Sequence, residues 1–293
     1  MNDPWLAHVS ADPTGQARSV ARAHAVFLGG GPLAVPGLRE VVAQSWQRSA
    51  RAHVDPDADP PVTLADSDLA AYRAAHPLSA VVKVLRELVG GTADDGEHLM
   101  AISDAGGRLL WVEGHTGARR RAETMNFVEG AAWDEEHAGT NAPGTALALG
   151  RPVQIFSTEH YRHTVQGWTC AAAPIRDPAT GQMIGVIDVT GGDLVAHPHS
   201  LALVKAAARV AEDELGWRRD PRSGIWTPTA TEPDRLEVLG RNDGLLRQNG
   251  RDIRLNRRQA EVMFILSMHP LGMTGEQLAD SLYEDCTARR PSG

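Results

Sequence analysis

Residues 168–191 constrain the chain most. WTCAAAPIR and QMIGVIDVTG flank DPATG (177–181), whose Asp, Pro and Gly supply the backbone angles of a tight reversal. A β-hairpin follows from two apolar runs around such a connection. HLMAIS (98–103) and RLLWVEG (108–114) repeat the pattern around Asp104-Ala105-Gly106-Gly107. RPVQIF (151–156) reads as a further short strand, and HPHSLALVKAAARVAEDELGW (197–217) as a long helix laying a Leu, Val and Ala stripe on the sheet. Strand alternation puts Asp188 on the face opposite Ile187 and Val189, where a salt bridge and a ligand contact are both open readings. The fold class is α+β.

The flanks read differently. QARSVARAHAVFL (16–28) and GLREVVAQSWQRSARAH (37–53) space apolar residues at three and four, as amphipathic helices do, with Gly29-Gly30-Gly31 as a stop. A proline-broken loop at 55–63 precedes AYRAAHPLSAVVKVLRELVGG (71–91), a helical stretch with a turn near Pro77. Residues 1–90 are therefore an N-terminal helical segment, and 91–217 the sheet-bearing domain. Residues 218–234 hold three prolines without periodicity and read as a linker. In 235–293, LEVLG and DIRL suggest short strands, RRQAEVMFILSMHP a helix, and GEQLADSLY a second helix capped by Thr274.

Charge separates the two parts. The net charge of −8 lies wholly on residues 1–233, because 234–293 carry nine Arg and nine acids. Within 241–258 six Arg face two Asp, a local excess suited to phosphate. Hydrophobic residues at 42% and charged residues at 23% describe an ordinary globular protein. Cys170 and Cys286 are the two cysteines, so neither a disulfide framework nor a Cys-rich zinc site is expected, and reduced thiols fit a cytoplasmic location. MNDPWLAHVSADPTG does not read as a secretory signal, and no apolar run has the length of a membrane span.

SWQRS (45–49), HAGTNAPGTALALGRPVQIFSTEHY (137–161) and WTCAAAPIRDPATGQMIGVIDVTGG (168–192) together resemble the N-terminal sensory part of acetoin-catabolism-activator-type bacterial regulators, whose core is a GAF domain. The resemblance covers about residues 38–217. It implies a GAF sheet of about six antiparallel strands with flanking helices and a small-molecule pocket between sheet and loops. That family often continues into an ATPase, but GxxxxGK[ST] is absent from this sequence. RLNRRQAEVMFILSMHPLGMTGEQLADSLYED (254–285) instead resembles the start of an actinobacterial winged helix-turn-helix. Only CTARRPSG remains after it, too little for a recognition helix and a wing, so a partial domain is expected.

The candidate ligand-binding residues are Trp111, Trp133, Thr140, Asn141, His160, Trp168 and Cys170: aromatic walls with a few polar groups. Packing of the tryptophans and turn formation by Thr140-Asn141 are the competing readings. The candidate DNA contacts are Arg254, Arg257, Arg258, Arg289 and Arg290. Glu159, His160, His163 and Cys170 invite a metal reading, since His at i and i+3 share a helical face, but the spacing is weak against plain surface histidines on a loop, and neither metal nor cofactor is expected. Cys170 reads either as a redox sensor or as an inert strand thiol.

The sequence has no Gly-x-Ser-x-Gly elbow, no His-Glu-x-x-His and no dinucleotide fingerprint. The expectation is a non-enzymatic, cytoplasmic, homodimeric transcription regulator that senses a small metabolite and binds DNA through its C-terminal helix-turn-helix. The alternative is a truncated ligand-binding or dimerisation protein that reads no DNA sequence. A GAF-type methionine sulfoxide reductase ranks last, because Cys286 lies across the linker from Cys170.

Overall fold

The computed structural model describes residues 4–7, 12–33, 38–64, 66–90, 98–219, 235–237, 244–248, 251–267 and 273–283. The chain divides into two units, Met1–Asp220 and Pro221–Gly293. In the first, strands β1 (Leu99–Asp104), β2 (Leu109–Gly114), β3 (Val153–Phe156), β4 (Thr169–Arg176) and β5 (Met183–Gly191) form an antiparallel sheet. Its order is β2-β1-β5-β4-β3. Both expected hairpins are present as β1-β2 and β4-β5.

The sheet has five strands where about six were expected. Beyond β2 the described residues make only isolated bridges, Arg108 with Ala132 and Val62 with Ala131. Gly130, at φ +85°, turns the backbone there before a ladder can extend.

Register places alternate residues on two faces. On the outer face Met100, Ile102, Trp111, Ala171, Ala173, Ile187 and Val189 meet Leu85 and Val89 of α4 (Val82–Val89) and the Leu201-Val204-Ala208-Ala211-Leu215 stripe of α8 (Pro198–Arg219). That helix takes in the first two residues of the expected linker, and 220–234 lie outside the described residues. On the inner face Leu99, Thr190, Cys170 and Ile155 form one row, and Ala101, Asp188, Ala172 and Val153 the next. Helix α7 (Ala142–Leu149) covers β4 and β5 there, with Ala142 and Ala146 beside Cys170 and Ala172.

The N-terminal helices belong to this unit. Val20 and Ala23 of α1 (Pro13–Leu28) and Trp46 of α2 (Glu40–Arg51) share a core with Ile155, Tyr161 and Cys170. Gly29 is the C-cap of α1, and Gly30, at φ +81°, takes the left-handed turn that ends it.

Gly185 sets how closely β5 approaches β1, since a Cβ there would lie 2.1 Å from the Ser103 carbonyl oxygen. Gly185→Ala is predicted to cost about 1–3 kcal/mol, because backbone on both strands must shift. Urea unfolding reads this directly, and an unchanged midpoint would show that the strands separate freely.

In the second unit β6 (Arg235–Glu237), β7 (Gly244–Gln248) and β8 (Arg251–Leu255) form an antiparallel sheet, accompanied by α9 (Arg257–Ser267) and α10 (Gly275–Tyr283). Both helices start on reciprocal caps. The Gln277 amide donates to Thr274 Oγ1 while the Thr274 amide donates to Gln277 Oε1, and Asn256 and Gln259 make the same exchange at α9. Among the described residues no helix is long and apolar enough to cross a membrane.

Candidate ligand-sensing site

The inner face carries one carboxyl group. Asp188 is enclosed between Ala101 and Ala172, its neighbours across the ladder, at 1% exposure. Thr190 Oγ1 bridges two groups, 2.6 Å from Asp188 Oδ2 and 3.0 Å from Cys170 Sγ. Asp188 Oδ1 and Ser103 Oγ have no hydrogen-bond partner among the described residues. Ser103 stands opposite Val186 on β5, diagonal to Asp188 on the same face. Burial is the main reason the Asp188 carboxyl is pushed up to about 8, against a smaller opposing effect of the Thr190 hydrogen bond. It therefore holds its proton at neutral pH. Burial likewise pushes the Cys170 thiol well up, which disfavours the thiolate that redox chemistry needs.

The wall over this face is built by long-range polar pairing. Asn141 caps α7, accepting from the Gly144 amide at 2.8 Å and donating to the Gly139 carbonyl at 2.8 Å. Thr140 Oγ1 stands 2.7 Å from Ser45 Oγ of α2. Ser45 and Thr145 both donate to Glu135 Oε1, at 2.5 and 2.8 Å, and Arg48 holds both oxygens of the same carboxylate at 2.5 and 2.9 Å. Thus SWQRS ties α2 to α6 (Glu135–Ala138) and α7.

A second clamp lies at the start of α2, where Arg39 is the N-cap. Arg39 grips both Glu159 oxygens, and Trp46 Nε1 donates to the Glu159 carbonyl at 2.8 Å. These two carboxylates are the residues that sequence reasoning missed. Glu135 belongs to no motif, and Glu159 reads from the sequence only as a metal candidate. Their partners lie 87 to 120 residues away, so no local spacing signals them.

The seven candidate residues do not converge. Trp111 sits on the outer face beneath the Arg73 guanidinium, separated by the sheet from Cys170. Trp133 and Trp168 lie on the inner side with Leu99 and Ala101; Trp133 Nε1 donates to the Asn126 carbonyl at 3.0 Å, and Arg121 stacks on Trp168. His160 is fully enclosed, with Nδ1 2.8 Å from the Ser157 carbonyl and Nε2 without a partner among the described residues. Burial, chiefly, lowers it to about 4. His163 pairs instead with Asp57 at 2.7 Å. Among the described residues no group of three or more His, Cys, Asp or Glu is placed to hold a metal.

An open cleft of about 930 Å³ lies outside the Glu135 clamp, between Arg48, Arg51, Glu136, His137 and Met183. Its Arg48–Glu135 and Asp134–His137 groups are already paired with one another. In the second unit Arg254, Arg257 and Arg258 are exposed, and the last two pair with Glu261 at 3.0 and 3.2 Å. Arg289 and Arg290 lie outside the described residues.

Comparison with known proteins places this architecture. An uncharacterized 47.3 kDa protein in the thcA 5′ region of Rhodococcus erythropolis is 43% identical over 290 residues, covering 96% of this chain and 66% of that one. The acetoin dehydrogenase operon transcriptional activator AcoR of Bacillus subtilis is 37% identical over 192 residues, covering 64% of this chain and 31% of AcoR. The chain thus spans just under two thirds of the first relative and about a third of the second. The solved E. coli DhaR(N)–DhaL complex shares the fold, with TM-score 0.53 and 19% identity over 60% of each chain. It fits a GAF-like architecture for the first unit. The family model for the MimR N-terminal domain matches residues 16–213, and the chain belongs to that family.

Proposed function

We propose that this protein is a cytoplasmic, homodimeric transcription regulator. The first unit senses a small molecule at the inner face of its sheet, and the second, a winged helix-turn-helix in part or whole, contacts DNA. The observation that carries the sensory reading is Asp188, a protonated carboxyl amid alanines with one oxygen that has no partner among the described residues. Buried polar atoms are almost always paired, so this one marks a place for a further hydrogen-bond partner. A ligand changes the output only by binding one arrangement of the protein better than another. The Glu135 and Glu159 clamps supply the mechanical link, because they join the wall over the inner face to α2 and the segment leading into it.

The DNA reading rests on the regulator relatives and on Arg254, Arg257 and Arg258 at the β8–α9 corner. Fluorescence anisotropy with DNA from upstream of the protein's own and neighbouring genes, at several salt concentrations with random-sequence competitor, tests it. Competitor-resistant binding that shifts with a metabolite is expected. Weak binding that salt abolishes would overturn it in favour of phosphate contact alone. The pairing of Arg257 and Arg258 with Glu261 favours that second reading, since it offsets part of their charge.

A further inference from the structure

We infer that the face formed by α5 (Thr116–Glu123), the turn His163–Val165 and the 55–59 loop docks on the same face of a second copy of this chain, the arginines of each copy meeting the aspartates of the other. This rests on the homodimer of the reading above and names its surface. Ala118 and Ala122 pack α5 onto the core, which turns Arg120 straight outward and Arg119 and Arg121 to its two sides. All three arginines are exposed, and none makes an ion pair among the described residues. Arg121 lies over the Trp168 ring, 5.2 Å from its centroid, and Glu123 is the single acid on the helix.

The opposite charge stands beside it. Asp55, Asp57 and Asp59 are exposed on their loop, with His163 2.7 Å from Asp57. The buried Arg162 beneath the loop commits its guanidinium to the Ala138, Asp55 and His137 carbonyls. Backbone contacts join the two clusters into one surface: Asn126, just beyond α5, donates to the Pro60 carbonyl at 3.2 Å, and the His163 amide to the Pro56 carbonyl at 3.0 Å. Between them the Trp168 amide donates to the Val165 carbonyl at 3.0 Å, and Thr164 and Gly167 are exposed. A Cβ on Gly167 would meet nothing within 4 Å, so this strip is open to a partner. A twofold axis through the strip lays each basic helix on the other copy's acidic loop, and both contacts form together. A nucleic acid or an acidic protein drawn to the arginines would meet the aspartates as like charge, whereas a second copy matches both.

Analytical ultracentrifugation of the full chain, combined with a charge swap, tests the surface. Arg119→Glu with Arg120→Glu spares Arg121 on Trp168, and Asp57→Lys with Asp59→Lys spares Asp55, which accepts the residue 57 amide at 2.9 Å. Each double variant alone is expected to dimerise about tenfold or more weakly than the parent. An equal mixture of the two should regain the dimer, because the acidic helix of one then faces the basic loop of the other. The parent dimer should weaken as salt rises from about 0.05 to 0.5 M. Should one variant not fold, the other variant and the salt series decide.

A dimer that neither salt nor either variant alters would overturn the inference and leave the homodimer standing on another face. Loss of DNA affinity in the arginine variant at an unchanged oligomeric state would overturn it too, and assign the arginines to phosphate. A monomeric parent removes this surface and the homodimer together, while DNA binding that shifts with a metabolite would still support the regulator. A charge-swapped dimer that binds no DNA leaves the surface standing and removes the regulator.

Discussion

Asp188→Asn is expected to be more stable than the parent protein by roughly 2 kcal/mol at pH 8 relative to its position at pH 6.5, measured by urea unfolding across pH 4–9. The cause is a proton. Asp188 has a carboxyl raised to about 8 in the fold against 3.8 when unfolded, so between those values the unfolded chain releases a proton that the folded one keeps. Stability attributable to this group therefore falls as pH rises through that window and levels off above 8.

His24 and His160 act in the opposite sense. Burial, the larger cause in each, lowers them from 6.5 to about 4, so below pH 6.5 the unfolded chain takes up protons that the folded one refuses. Two histidines outweigh one carboxyl on the acid side. Between pH 6.5 and 8 the carboxyl dominates, and the parent should be most stable near pH 6.5. Asparagine keeps the shape and an acceptor for Thr190 without the titration, so its profile should rise to pH 6.5 and then run flat. A parent-like decline in the variant between pH 6.5 and 8 would show that Asp188 is not the group responsible.

Arg39→Ala is expected to cost about 3–5 kcal/mol at neutral pH. The Glu159 side chain is 3% exposed and that of Arg39 13%. Removing the guanidinium leaves the carboxylate inside the protein with the Phe156 amide, 2.8 Å away, as its remaining donor from this cluster. Adding Glu159→Gln to the Arg39→Ala background should restore a large part of the loss, since the amide keeps an acceptor for Phe156 and sheds the charge. A full double-mutant cycle by urea unfolding measures this coupling. Strictly additive effects would mean that the pair does not function as a clamp.

Features whose cause lies within a few residues were legible before the structure. DPATG dictated the β4-β5 hairpin through turn dihedrals, and Ile187-Asp188-Val189 put the carboxyl across the sheet from its neighbours through alternation. The Thr274 cap needed only the spacing to Gln277. Trp111 and Trp168 illustrate the limit, for both read as aromatic residues near strand ends. A register shift between Ile102 and Ser103 admits Leu110 as an extra residue and puts Trp111 on the outer face, away from Trp168. Nothing in RLLWVEG signals that shift.

Sequence alone determined the α+β class, the two hairpins, the helical N-terminal flank and the side of the strand on which Asp188 stands. Each depends on torsional preference and periodicity, which act along the chain. Tertiary structure alone decided that Glu135 and Glu159 are clamped by Arg48 and Arg39, and that Asp188 is sealed beside Ser103 with an oxygen that no described residue pairs. Those outcomes depend on groups brought together from 85 to 120 positions apart, where packing geometry and desolvation choose the partner.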